Sequence, residues 1–266
     1  MKFQLIIFLS ILNIICFQKI FAQSSLKTDS LLQILQHTDN KKAKVKLLLK
    51  ISNEENTIDP EKSLEFAKQA RDLARNIDFD SAEIHAMIDI GLSQGRMNLL
   101  KEAIETGKQV VEKAERFHMP LEIADGRTVM AVAYAEGGDF DNSSKLYFEN
   151  INLYEKLNEK RLLGVTMGNI GVDFIDQQSY EKGLEYVNKS LILGLETHNL
   201  ISISDQYNNL AIIYYSGFHN LPKALRYFSM AFETDIKTGD IQSQGFCMLN
   251  IGSVYKEMNN LDSALF

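Results

Sequence analysis

The residue types that most often carry chemistry are present in this chain but are not gathered. His37, His85, His118, His198 and His219 are scattered. No pair has zinc-ligand spacing and no HExxH occurs. Ligands need clustering, so each histidine is expected at a surface or a helix end. No glycine-rich loop precedes a Lys-Ser or Lys-Thr pair, so no phosphate cradle is expected. Gly164, Gly168 and Gly171 have GxxxG spacing. Their flanks are polar and amphipathic, which reads as a small-residue packing face and not a membrane dimer motif. Asn142-Ser143-Ser144 and Asn188-Lys189-Ser190 are glycosylation sequons that would need a eukaryotic secretory origin. Asp and Glu are plentiful, but every amphipathic helix surface supplies them, and no pair stands out as an acid–base couple. The sequence therefore predicts no catalytic constellation, no cofactor and no metal. One residue type does recur in register: Asn169, Asn209 and Asn250 fall at one slot of a repeating pattern. An asparagine amide both donates and accepts hydrogen bonds.

The elements that must carry that row are helices. Asn208 to Ala231 holds two apolar runs of helical spacing, split by Gly217-Phe218-His219-Asn220. Leu210, Ala211 and Tyr214 share one face of the first, and Ala224, Phe228 and Ala231 share one face of the second. Two such runs with a short break make a helical hairpin. The hairpin recurs. Small residues of the first helix fall at Gly91, Ala131, Gly171, Ala211 and Gly252, at steps of 40, 40, 40 and 41. Small residues opening the second helix fall at Ser63, Ala103, Ser143, Gly183, Ala224 and Ala264, at steps of 40, 40, 40, 41 and 40. Both series slip by one between the same two units, which predicts a single insertion in the loop before Pro222. Tyr134, Phe174, Tyr214 and Tyr255 follow the first-helix small residue by three. The small slots let paired helices approach, and the aromatics are expected to fill the space between hairpins. No hairpin buries its apolar face alone, so neighbours must stack.

Composition bounds the class. An apolar share of 45% supports a sizeable core over 266 residues, and three prolines with no tryptophan fit long uninterrupted helices. A net charge of −7 argues against a nucleic-acid surface. Residues 1–22 differ from the rest: Lys2 precedes a nearly unbroken apolar run from Leu5 to Phe17, and Ile20-Phe21-Ala22 precedes a polar stretch. This predicts a secretory signal peptide cleaved after Ala22, and hence a secreted or periplasmic chain. Cys16 lies inside the apolar run behind Ile14-Ile15, which argues against a lipoprotein signal. Cleavage removes Lys2, Lys19 and no acid, taking the formal charge from −7 to −9. It leaves Cys247 alone, expected as a small buried side chain. Residues 23–41 predict one amphipathic helix through Leu26, Leu31, Leu32 and Leu35, and 42–266 a repeat array of five hairpins and a truncated sixth.

At these residues the chain resembles the tetratricopeptide repeat family. Leu210-Ala211, Tyr214, Ala224, Phe228 and Ala231 match its signature, and Asp59-Pro60-Glu61-Lys62-Ser63-Leu64 resembles its inter-helix turn. The resemblance covers about residues 42–266 and departs in period, near 40 instead of the family's usual 34 or so. The first unit is weak, with Lys50-Ile51 and Glu54 at the small and aromatic slots. The fold implied is all-α, a right-handed solenoid of stacked helical hairpins. The resemblance also implies that first helices line a concave face that contacts protein or peptide ligands. Projected onto this chain, that face holds His85, Asp89 and Arg96, then Asp125, Thr128 and Glu136, then Asn169 and Asp176, then Asp205, Asn208, Asn209 and Tyr215, then Asn250 and Lys256. The Asn row could bind an extended peptide backbone or bond neighbouring helix ends and only shape the array. The lysines and arginines that clamp a terminal carboxylate in chaperone-binding relatives are missing. The projected face is mildly acidic, so a basic or neutral peptide is the expected partner.

The layout, a leader and a short Leu-rich helix before long-period repeats, also resembles extracytoplasmic input regions of bacterial histidine kinases and DNA-binding regulators. On that reading these residues sense and a downstream domain responds. A self-assembling scaffold that forms a homo-oligomer is a third reading. The last hairpin has only the start of its second helix, Leu261 to Phe266, so continuation beyond Phe266 is expected.

Overall fold

The structure is a computed structural model that describes residues 27–259. The leading segment 1–22 and the last helix start, Leu261–Phe266, lie outside those residues. Residues 27–36 form helix α1. It is followed by α2 (Lys41–Glu55), α3 (Pro60–Arg75), α4 (Asp80–Arg96), α5 (Leu100–Arg116), α6 (Pro120–Glu136) and α7 (Phe140–Leu157). Then come α8 (Lys160–Asp176), α9 (Tyr180–Glu196), α10 (Leu200–Ile212), α11 (Leu221–Thr238) and α12 (Ile241–Glu257). The described residues therefore hold α1, five hairpins and the first helix of a sixth. Two compact units divide the chain, one ending at Leu153 and the other beginning at Tyr154.

The 40-residue period has a backbone origin. Residues with positive φ stand at Asp78, Asn98, His118, Gly138, Asn158, Gln178 and His198, every 20 residues, and then at His219, Gly239 and Asn259. Each lies in the turn that ends a helix. Glycine, asparagine, aspartate and histidine tolerate this left-handed conformation better than most residues. The next amide then donates five residues back, as from Asp139 to Tyr134 and from Ser179 to Phe174, both at 2.8 Å. These are left-handed helix stops that satisfy end carbonyls. Three of the five histidines are accounted for this way. Prolines sit where no ladder is broken, at the start of α3, α6 and α11. Asp59 and Asn220 cap α3 and α11 by accepting from the amides of Lys62 and Lys223.

The one-residue slip is not a loop insertion. Ile213–Gly217 is a π-helical turn continuing α10. Phe218 N–H donates to Ile213 oxygen at 3.1 Å, and Asn220 N–H donates to Tyr214 oxygen at 2.8 Å, six residues back where the other turns count five. The extra residue is wound into the helix end, and the capping turn that follows is unchanged.

In the N-terminal unit, α1 docks through Leu35 on Leu48, Ala70 and Ala86. Ile84, Val110, Ala114, Val129 and Ala133 form the core of the next two hairpins. α5 and α6 meet at two glycines: a Cβ on Gly107 would lie 2.8 Å from the Gly126 oxygen. In the C-terminal unit, Gly171 and Gly183 serve α8 and α9 likewise, since a Cβ on Gly171 would lie 2.7 Å from Val187 Cγ2. The first-helix aromatics pack largely within their own hairpin. Tyr214 stacks on Tyr227, rings 3° apart with centroids at 5.6 Å, and Phe174 lies 5.6 Å from Tyr186. It is Phe228 of the second helix that reaches the next hairpin, packing with Val254 of α12.

Candidate peptide-binding face

The sequence-predicted face divides into residues locked into the fold and residues left available. In the N-terminal unit the first group holds Asp89, Arg96 and Thr128. Asp89 is 8% exposed and hydrogen-bonds Ser52. Burial pushes its carboxyl up to about 7. Arg96 Nε donates to Asn56 Oδ1 at 2.6 Å, and Asn56 Nδ2 donates to the hydroxyls of Ser93 (3.2 Å) and Ser63 (3.4 Å). Ser63 and Ser93 are 2.9 Å apart. This buried network ties α2, α3 and α4 together, so Asp89 is a joint between hairpins and not a ligand contact. Thr128 bonds back to the Ala124 oxygen at 2.9 Å and accepts from Asn150 Nδ2 at 3.1 Å. His85, Asp125 and Glu136 remain at the surface or half-buried. His85 Nε2 lies 3.5 Å from Glu122 Oε1. Asp125 is pushed up to about 6, first by desolvation and then by Glu122, with His85 opposing.

In the C-terminal unit the face is open. Asn169 (α8), Asn209 (α10) and Asn250 (α12) are half-buried at equivalent positions. Asn209 Nδ2 donates to Gln206 Oε1 at 3.3 Å. The side chains of Asn169, Asn208 and Asn250 make no hydrogen bond to protein among the described residues. The row is flanked by apolar groups on the same helix faces: Val165 is 38% exposed, Val172 37% and Phe246 59%. Positions i, i+4 and i+7 share a helix face, which puts Val165 and Val172 either side of Asn169. Asp205, one turn before Asn209, is open to solvent. It is pushed up to about 6 by desolvation, then by Asp235 and Asp240. Since the side chain is exposed, that desolvation reflects protein crowded around an open carboxylate and not enclosure. Tyr215 hydrogen-bonds Glu257, which raises its phenol above the ordinary value. Asp176 and Lys256 are exposed at helix ends.

Cys247 is buried, as expected of a small core residue. Burial, then the nearby Asp235 carboxylate, push its thiol up to about 12, so it stays protonated and donates to Asp235 Oδ2 at 3.5 Å. Asp235 also accepts from the Ser204 hydroxyl. Among the described residues no group of three His, Cys, Asp or Glu side chains is placed to hold a metal ion, and no helix is long and apolar enough to cross a membrane. Sequence reasoning missed Asn56, Glu122, Asn150 and Gln206. Only Glu122 carried a signal, lying three residues before Asp125 in the first turn of α6.

No protein-family model matches the sequence, and no curated protein is significantly similar to it. Solved structures do share its fold. BtubC (BKLC) from P. vanneervenii superposes with a TM-score of 0.62 at 15% identity, over 77% of this chain and 87% of that one. A Rap protein complexed with Competence and Sporulation Factor gives 0.64 at 13% identity, over 92% and 74%. NprR in complex with its cognate peptide NprX gives 0.63 at 15% identity, over 90% and 74%. The helical hairpins, their small-residue crossings and these superpositions lead to one conclusion: the chain is an all-α stack of tetratricopeptide-like repeats.

Proposed function

We propose that this chain is a scaffold that binds a peptide or an extended protein segment across α8, α10 and α12, without making or breaking a covalent bond. One observation carries the reading. Asn169 and Asn250 present amides that no described residue bonds, in register with Asn209 and beside exposed apolar side chains. A polypeptide supplies the matching partner, with a carbonyl and an amide per residue and side chains to cover Val165, Val172 and Phe246. The structural likeness to NprR, solved with its cognate peptide, supports the same reading. On sequence grounds we further propose export by residues 1–22, which N-terminal sequencing of the exported protein would check by a start at Gln23.

Replacing Asn169, Asn209 and Asn250 together by alanine tests the binding reading. Peptide capture is expected to fall at least about tenfold while the circular dichroism spectrum is unchanged, since surface amides contribute little to folding. Loss of helicity would show the row to be structural and overturn the proposal.

A further inference from the structure

Resting on the peptide reading above, the chemistry of the ligand can be taken one step further. Val165, Asp205 and Phe246 occupy one equivalent position on α8, α10 and α12, one turn before the three asparagines. The two outer side chains are exposed and apolar, and the middle one is an exposed carboxylate. Asp205 has no lysine or arginine partner among the described residues. Its charged neighbours are two further carboxylates, Asp235 and Asp240. Two other carboxylates of the same unit are compensated, Glu196 by Lys160 at 3.0 Å and Glu185 by Lys189 at 2.6 Å. The row therefore presents an apolar seat, an anionic seat and an apolar seat, with the amide row running alongside.

The spacing of the seats sets a register. Packed helices lie about 8–10 Å apart. An extended chain advances about 3.3 Å per residue. Between α8 and α10, which pack directly, one seat thus corresponds to roughly three ligand residues. We infer that the C-terminal unit selects an extended peptide with a lysine or arginine side chain at Asp205, an apolar side chain about three residues to one side at Val165, and a second apolar side chain further along on the other side at Phe246. The asparagines would then meet the backbone, which is common to all sequences, and the Val165–Asp205–Phe246 row would decide which sequences bind.

Selection from a phage-displayed library of random dodecamers against the full chain tests this, with counter-selection on the triple-alanine variant of the asparagines. The enriched peptides are expected to carry a cationic residue flanked by apolar residues on both sides, one of them about three residues away. Measured by fluorescence polarisation, D205N should weaken them about tenfold or more, and D205K should abolish binding. Enriched peptides that lack the cation, or that bind wild type and D205N equally, would overturn the inference while leaving the peptide-binding face intact. If no peptide distinguishes the wild-type chain from the triple-alanine variant, the binding reading itself fails and the inference falls with it.

Discussion

Asn209 donates to Gln206 within a single turn of α10, at 3.3 Å, and this contact separates it from the other two asparagines of its row. Asn169 and Asn250 have no such partner among the described residues, so removing either breaks no protein hydrogen bond. The double variant N169A/N250A is expected to melt within about 2 °C of wild type, because surface changes that touch no packed feature stay within about 0.5 kcal/mol. Thermal unfolding followed by circular dichroism checks it. A drop of many degrees would mean that these amides hold the stack together.

The buried carboxyl of Asp89 makes stability depend on pH in an unusual sense. Its folded pKa is raised from 3.8 to about 7 by burial. Between about pH 4 and pH 7 the folded chain keeps a proton that the unfolded chain has lost, so this group's contribution falls as pH rises through that window. Asp89→Asn keeps the shape and removes the titration. It is expected to be more stable than wild type at pH 8, by on the order of 2–4 kcal/mol, since each tenfold change in proton affinity is worth about 1.4 kcal/mol. Urea unfolding of both chains at pH 5 and pH 8 measures it, and parallel pH profiles would contradict it.

Two glycines should respond in opposite directions to the same substitution. A Cβ on Gly171 would sit 2.7 Å from Val187 Cγ2 and 3.2 Å from the Val187 backbone nitrogen, which cannot move independently of α9. A Cβ on Gly245 would meet nothing within 4 Å. Gly245→Ala should stabilise by about 0.5–1 kcal/mol through helix propensity alone. Gly171→Ala should destabilise by about 1–3 kcal/mol, since crowding the crossing outweighs that gain. Denaturant midpoints of the two variants decide the matter.

The π turn offers a register test. Between Tyr214 and Asn220 the chain holds one residue more than the equivalent stretch from Phe174 to Ser179. Deleting Ser216 restores the common count and should leave the fold intact, within about 1 kcal/mol, because a π bulge is a helix carrying one extra residue. Deleting Asp176 from α8 shortens a turn with no residue to spare and should lower the melting temperature sharply. Equal damage from the two deletions would show that the π turn is required.

Much of this was legible in the sequence because it follows from repetition. Small residues every 40 positions announced the hairpins, since a bulky side chain would block the α8–α9 approach at Gly171 and Gly183. Asp59 and Asn220 announced helix starts through capping chemistry. The extra residue was detected and misplaced, since the period counts residues and is blind to whether one is wound into a helix or looped out. The face was harder. Asp89 and Asn169 stand two residues before equivalent glycines, yet one is buried beside a hydroxyl network and the other is half-buried with no hydrogen-bond partner among the described residues. What separates them is the pair of neighbours, Ser52 and Asn56, that only the first hairpin supplies. Such partners lie far away in sequence and follow no period.

The most direct test of the binding face reads the asparagine amides themselves. With the chain labelled with nitrogen-15, the side-chain NH2 resonances of Asn169 and Asn250 are followed by NMR while a selected dodecamer is titrated to saturation. Both pairs of resonances are expected to shift and to become slower to exchange with solvent, as unbonded amides acquire peptide carbonyl partners. Saturable binding that leaves both unmoved would contradict the account.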